Sequence, residues 1–279
     1  MGIFENKIAL VTGAASGIGR ALVEELIREK AKIVATDINE ETLAANVEAM
    51  GEGVKQIQAF RLDVTDYDAF KKIIDDTISR EGRLDYIFNN AGIAIAGDLR
   101  DVTIDDCRKV LDVNLNGVLY GSLLAYQQMV KQGFGHIVNL ASIEGLIPFP
   151  TTVSYVVSKF AVMGLSQGMW VEGTDLGVKV SAVCPAFVRT SIFDVSPVIN
   201  MKREDWMKEG VSIWERFSVS SGECARKILK GVERNKPIIT VSPIARVMWW
   251  LARVSPTFLM NFARKDFAKW RKKVRLEGP

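Results

Sequence analysis

Along the chain, short runs that are almost wholly apolar alternate with longer stretches whose apolar residues return every three or four positions. The runs are KIALVT (7–12), KIVATD (32–37), QIQAFRLD (56–63), LDYIFN (84–89), HIVNLA (136–141), VKVSAVC (178–184) and PIITV (237–241). Each has the length and composition of a strand, and strands separated by helix-period segments predict βαβ units joined into a parallel sheet. The runs are nearly continuously apolar, which places helices on both faces of that sheet. No repeat, low-complexity tract or Pro/Gly/Ser-rich linker interrupts the march. Residues 1–245 are therefore expected to form one domain, with residues 246–279 appended to it.

Two segments break the rhythm. Between the sixth and seventh runs, Ser191 to Glu223 mixes charge with Trp206, Met207, Val211, Trp214 and Phe217. The 206, 207, 211, 214 spacing gives a helix one apolar stripe, suited to core packing or to a face turned over a ligand. The tail carries Leu259, Ala263, Phe267, Trp270 and Val274 at steps of 4, 4, 3 and 4, with Arg264, Lys265, Lys269, Arg271, Lys272, Lys273 and Arg275 on its other sides, and Trp249 and Trp250 before it. This is a basic amphipathic helix. Its stripe is expected to dock on a neighbouring subunit or on the body; the alternative is peripheral contact with an anionic membrane surface.

Charge follows the same division. Of the formal +3, residues 246–279 hold nine Lys or Arg against two Asp or Glu, a balance of +7 that leaves −4 for residues 1–245. The body thus offers no electrostatic footprint for nucleic acid. With 48% hydrophobic and 25% charged residues, the chain has the profile of a soluble globular protein able to bury a large core. Cys107, Cys184 and Cys224 are far apart and form no C-x-x-C, which suits a reduced, cytoplasmic setting. The start MGIFENK lacks an apolar signal core, Asn6 stands where a myristoylation pattern needs Ser or Thr, and no stretch approaches about 18 uncharged apolar residues. The single histidine, His136, lies at the mouth of a strand and is read as structural, so no metal cage is expected.

The candidate chemistry begins at SYVVSK, where Tyr155 and Lys159 are four residues apart and share one face of a helix. A free phenol, with a pKa near ~10, is useless as a base at neutral pH, but a neighbouring cation favours the phenolate. Taken alone, the same pattern also describes two surface residues. The first strand ends in TGAASGIGRAL, whose Gly13, Gly17 and Gly19 lead into a helix and let a phosphate approach its positive end. Tight turning alone is the other explanation of those glycines. The second strand ends in Asp37, whose carboxylate can accept hydrogen bonds from an adenosine ribose and would repel a 2′-phosphate, or can cap a helix. Neither Ser16 nor Ile38 offers that phosphate a cation, so NAD is favoured over NADP.

With TGAASGIG, DV at Asp63 and Val64, NNAG at Asn89 to Gly92, Asn114, Ser142, Tyr155, Lys159 and PAFVRT at Pro185 to Thr190, the sequence resembles the short-chain dehydrogenase/reductase family over roughly residues 5–242. The resemblance implies an α/β, doubly wound, seven-stranded Rossmann domain that assembles as a homodimer or homotetramer. It gives Tyr155 the role of general acid/base and Ser142 that of hydrogen-bonding the substrate oxygen. Lys159 would hold the nicotinamide ribose and lower the phenol's pKa, and Asn114 would anchor a water in the proton relay. Gly13, Ser16, Gly17, Ile18, Gly19 and Asp37 would bind the cofactor, Asp63 and Val64 would flank its adenine, Asn90, Ala91 and Gly92 would line its ribose, and Val188 and Thr190 would meet its carboxamide.

Two residues depart from the pattern: Ala186, where the family commonly has glycine, and Glu144, an unusual charge two residues past Ser142 that either faces solvent or enters the site. With Phe149 and Ile95 also placed near the site by the resemblance, the expected substrate is an apolar secondary alcohol or ketone. Two rivals remain. A carrier-linked ketoacyl reductase would use NADPH and sits badly with Asp37, and a nucleotide-sensing scaffold would have no use for a proton relay.

Overall fold

All seven apolar runs become strands of one parallel sheet. A computed structural model describes residues 2–190, 192–208 and 218–276, apart from the side chains of Phe193, Phe262 and Asp266. Strands β1 (Ile8–Thr12), β2 (Lys32–Asp37), β3 (Ile57–Arg61), β4 (Tyr86–Asn89), β5 (Gly135–Leu140), β6 (Val178–Cys184) and β7 (Ile238–Thr240) lie in the order β7-β6-β5-β4-β1-β2-β3. Every neighbouring pair is parallel. The order reverses between β1 and β4, and the crevice outside the carboxyl ends of the strands at such a point is where open α/β sheets bind ligands.

The principal helices are α1 (Gly17–Arg28), α2 (Glu40–Glu48), α3 (Tyr67–Glu81), α4 (Ile104–Leu111), α5 (Gly117–Gln132), α6 (Val153–Gly173), α7 (Ser221–Glu233), α8 (Pro243–Val254) and α9 (Pro256–Val274). Strand β1 shows why they cover both faces. Side chains alternate along a strand, and Ala9 and Val11 pack with Leu22 and Leu26 of α1 and Ile228 of α7. Ile8 and Leu10 meet Phe70 and Ile74 of α3 and Met129 of α5 on the other face. Helix α6 extends that second layer, laying Val162 and Met163 against Ala141, Ala182 and Cys184. Each large apolar side chain buried this way contributes about 1.5–3 kcal/mol, so a strand that slipped by one residue would forfeit both layers at once.

The C-terminal extension is two helices, not one. Ser255 adopts φ −148° and ψ 86° between them, as expected of a residue forced out of the helical region by the following Pro256. Ala245, Met248 and Ala252 of α8, with Leu259 of α9, pack on Ile143, Ile147, Phe149 and Ala186. At the far end, Val274 and Trp270 join Ala96, Met201 and Trp206. Lys202 N donates to Val274 O at 2.8 Å and Leu276 N to Asn200 O at 3.2 Å. Arg275 pairs with Asp101 at 2.9 Å and Arg271 with Asp98.

The expected docking of the Leu259–Val274 stripe is thus met, at its two ends, on the body of the chain itself. Its ends, Leu259 and Val274 with Trp270, are used within the chain itself, because the turns around Asp98 and Met201 present apolar and acidic groups to them. Trp206 likewise faces this core and not the ligand crevice, while Val211, Trp214 and Phe217 lie outside the described residues.

Candidate active site

The loop after β1 is shaped by what cannot fit in it. Gly13 and Gly17 have φ of +65° and +54°, and a Cβ at Gly19 would stand 2.0 Å from Gly13 O and 2.5 Å from Asn90 Nδ2. The side chain of Ser16, at the N-cap, makes no capping bond to α1, so the first N–H groups of that helix point toward the crevice without a side-chain partner. This suits a pyrophosphate. Asp37, at the end of β2, accepts from Ala15 N and Asn39 N, both at 2.9 Å, which fixes its carboxylate at the crevice edge. The residues present therefore fit a dinucleotide.

The other expected contacts line the same cleft, a space of about 630 Å³: Ile18, Asp63, Val64, Ala91, Gly92, Val188 and Thr190. Asn90 lines it too, but its amide is committed to Thr12 O at 2.9 Å and Gly13 O at 3.1 Å. It therefore ties β4 to the glycine loop, and Thr12 Oγ1 completes the tie by accepting from Asn90 N and Ala91 N. Thr12 was not singled out from the sequence, although its place just before Gly13 was the available signal. Asp63 turns its carboxylate toward Thr65, accepting from N at 2.9 Å and Oγ1 at 2.7 Å.

At the opposite end Ser142, Tyr155 and Lys159 line the cleft, and Asn114 is fully buried next to Gly92. Asn114 sits in a π-turn, Asp112–Asn116, inserted between α4 and α5, a device that re-aims a side chain out of regular helix spacing. It accepts from Ile93 N at 2.8 Å and donates to Ile93 O at 2.9 Å and Ser158 Oγ at 3.2 Å. Ser142 caps the short turn Ile143–Gly145, accepting from Glu144 N at 3.1 Å. Tyr155 stands in the first turn of α6. Lys159, one turn on, is buried; its Nζ donates to Leu140 O at 2.7 Å and lies 5.3 Å from the centre of the Tyr155 ring.

Electrostatics correct one expectation and resolve another. Burial, then the nearby Glu144 carboxylate, push the Tyr155 phenol above its ordinary value, with a hydrogen bond to Ser142 acting the other way. The expected lowering by Lys159 is not found. Burial draws the Lys159 ammonium down to about 8, while Glu144 and Cys184 act to hold its proton on. Glu144 does not face solvent: it is buried, lines the cleft and accepts from Thr152 Oγ1 at 2.7 Å. Burial pushes its carboxyl up to about 7, against the Thr152 hydrogen bond and the Lys159 charge.

Ile95 lines the cleft as expected. Phe149 does not; it stacks edge-on, at 6.4 Å, against Phe187, which does. His136 is structural: it shares a 2.8 Å hydrogen bond with Ser181, and burial, with the Lys179 charge, lowers it to about 3.

A phosphate cradle at the switch point of a doubly wound sheet, with serine, tyrosine, lysine and asparagine gathered beside it, defines an oxidoreductase of the Rossmann class. Residues 7–197 match the family model described as short chain dehydrogenase, and the chain belongs to the short-chain dehydrogenase/reductase family. It is 39% identical over 197 residues to the 3beta-hydroxysteroid dehydrogenase of Mediterraneibacter gnavus, covering 70% of this chain and 71% of that one. It is 31% identical to the Mycobacterium tuberculosis protein SadH over 273 residues, 97% of this chain and 98% of that one, a span that takes in the C-terminal helices. Among solved structures, a short chain dehydrogenase/reductase from Burkholderia phymatum in complex with NAD is similar, with a TM-score of 0.84, 27% identity and coverage of 93% of this chain and 97% of that one.

Proposed function

We propose that the protein is an NAD-dependent oxidoreductase that interconverts an apolar secondary alcohol and its ketone, with Tyr155 as general acid/base. The observation that carries this reading is the meeting of Ser142, Tyr155 and Lys159 at one end of a cleft whose other end holds Asp37, with Asn114 fully buried next to Gly92 of the same lining. When bound, the nicotinamide supplies the acceptor or donor of the hydride. The chain's own groups manage the proton and the pose. Ser142 holds the substrate oxygen, Tyr155 takes its proton during oxidation or returns it during reduction, and Lys159 would hold the nicotinamide ribose. Asn114 holds the backbone of Ile93, in the loop after β4, through two hydrogen bonds.

The preference for NAD rests on Asp37 and on what stands near it. Among the described residues the basic ones lining the cleft are Lys109 and Lys159; Arg61, the register partner of Asp37 on β3, does not line it, and Asp37 is followed by Ile38. That arrangement opposes a 2′-phosphate and so disfavours the NADPH-linked ketoacyl reductase. Apolar lining at the substrate end, from Ile95, Ile143, Ile192 and Val195, supports an apolar substrate. Assembly as a homodimer or homotetramer and a cytoplasmic setting belong to the same reading.

The test is incubation with NAD or NADP and a panel of steroid, terpene and aliphatic secondary alcohols, followed by absorbance of the reduced nicotinamide. Reduction of NAD that disappears in Tyr155→Phe is expected. A preference for NADP would overturn the cofactor assignment, and the absence of turnover with every alcohol and its ketone would overturn the reaction.

A further inference from the structure

We propose that the outer face of α8, with the start of α9, binds the surface of an anionic bilayer. The inner faces of these helices are already used within the chain, since Met248, Ala252 and Leu259 pack on the body. What remains outward is apolar. Val247, Trp250 and Val254, at i, i+3 and i+7, form a stripe along α8, and Phe258 and Met260 follow at the start of α9; all five are between 54% and 64% exposed.

The setting of this face is basic. Arg246, Arg253, Arg264, Lys265, Lys269 and Lys272 are exposed on the same two helices, and residues 246–279 contain only Asp266 and Glu277 as acids. Arg253 lies over the ring of Trp249, 4.8 Å from its centre, so cation and aromatic surface are presented together.

Charge selects the occupant. A second copy docking through the same face about a two-fold axis would set this basic surface against itself. Anionic headgroups complement it, and tryptophan and phenylalanine are suited to the boundary between headgroups and acyl chains. No helix among the described residues is long and apolar enough to cross a membrane, so the contact lies on the bilayer and does not span it. The inner side of α8 rests on Ala186, which lines the cleft. A docked bilayer would therefore stand about one helix thickness, roughly 10 Å, from the reaction site. That placement suits the apolar substrate of the proposed function, but binding itself does not depend on that reading.

The experiment is co-sedimentation of the full chain with vesicles of phosphatidylcholine alone or with a minority of phosphatidylglycerol, which needs no turnover. Binding is expected only to the anionic vesicles, and it should weaken as salt rises from about 0.1 M to about 1 M and the screening length falls from ~10 Å to ~3 Å. Trp250→Glu should reduce it by about tenfold or more. Lys265→Glu/Lys269→Glu, which alters charge alone, should do so too if its melting temperature matches the parent's, keeping the test intact should Trp250→Glu fold poorly. Failure of the parent to bind anionic vesicles at low salt would overturn the proposal. If sedimentation velocity also showed Trp250→Glu losing subunits, the face would be a contact between copies.

Discussion

In the proposed reaction, Tyr155 is the group that moves a proton and Glu144 the group that sets when it moves. Tyr155→Phe removes only the phenolic oxygen, so kcat should fall by about 10²–10⁴-fold or more while nucleotide affinity, read by quenching of protein fluorescence, stays nearly unchanged. Turnover within about tenfold of the parent would remove Tyr155 from the mechanism. Glu144 has the opposite signature. Ionised, its carboxylate disfavours the phenolate and favours the Lys159 ammonium. Glu144→Gln deletes the first effect directly, so the acid limb of the kcat/KM profile for alcohol oxidation should move to lower pH. The sign follows from Glu144 itself, which titrates near 7: below that pH the parent's carboxyl is already neutral and the profiles should converge, and above it they should separate. An acid limb that stays in place or moves to higher pH would mean that Glu144 does not act on Tyr155. The sequence marked Glu144 as out of place but left its direction open, because burial by Thr152 and the turn after β5 is a property of the folded chain.

At the scale of elements, the strands were legible to within about two residues because a parallel sheet covered on both faces requires nearly continuous apolar runs. The glycine loop was legible for a related reason: only glycine tolerates its close approaches. Gly19→Ala should abolish nucleotide binding and lower the melting temperature, since its Cβ meets the Gly13 carbonyl at 2.0 Å and backbone cannot swing aside as a side chain can. Calorimetry with and without NAD checks both effects, and a variant with normal stability and affinity would refute the packing argument. The π-turn at Asn114 was not legible. It adds one residue to a helical junction without a proline or glycine at Asn114 to announce it, and it is stabilised by the distant Ile93 backbone and Ser158.

For the whole molecule, the tail is the element whose fate changes most between sequence and structure. A chain ending at residue 242 would uncover Ile143, Ile147, Phe149, Met201 and Trp206, leaving apolar surface of the kind that drives aggregation. Truncation should therefore lower the melting temperature and promote aggregation whatever the subunit number of the parent, because the lost contacts are within one chain. Calorimetry and sedimentation decide: a truncated protein as stable and as soluble as the parent would show that the two helices do not brace the body.

What the sequence alone determined is what repeats locally or is forced sterically: the succession of the seven strands along the chain, the glycine loop after β1, the carboxylate at the end of β2, and the Tyr155–Lys159 pair on one helix face. Each is fixed by spacing over a few residues. The tertiary structure decided which of several physically equal partners a surface meets. Leu259, Trp270 and Val274 satisfy an amphipathic pattern that a subunit, a membrane or the chain's own body would serve equally well, and only the placement of Ile143, Met201 and Asp101 selects the last. The same holds for Lys159: its charge and spacing are written in the sequence, but the burial that lowers its pKa and the Leu140 carbonyl that holds it exist only once the sheet has assembled.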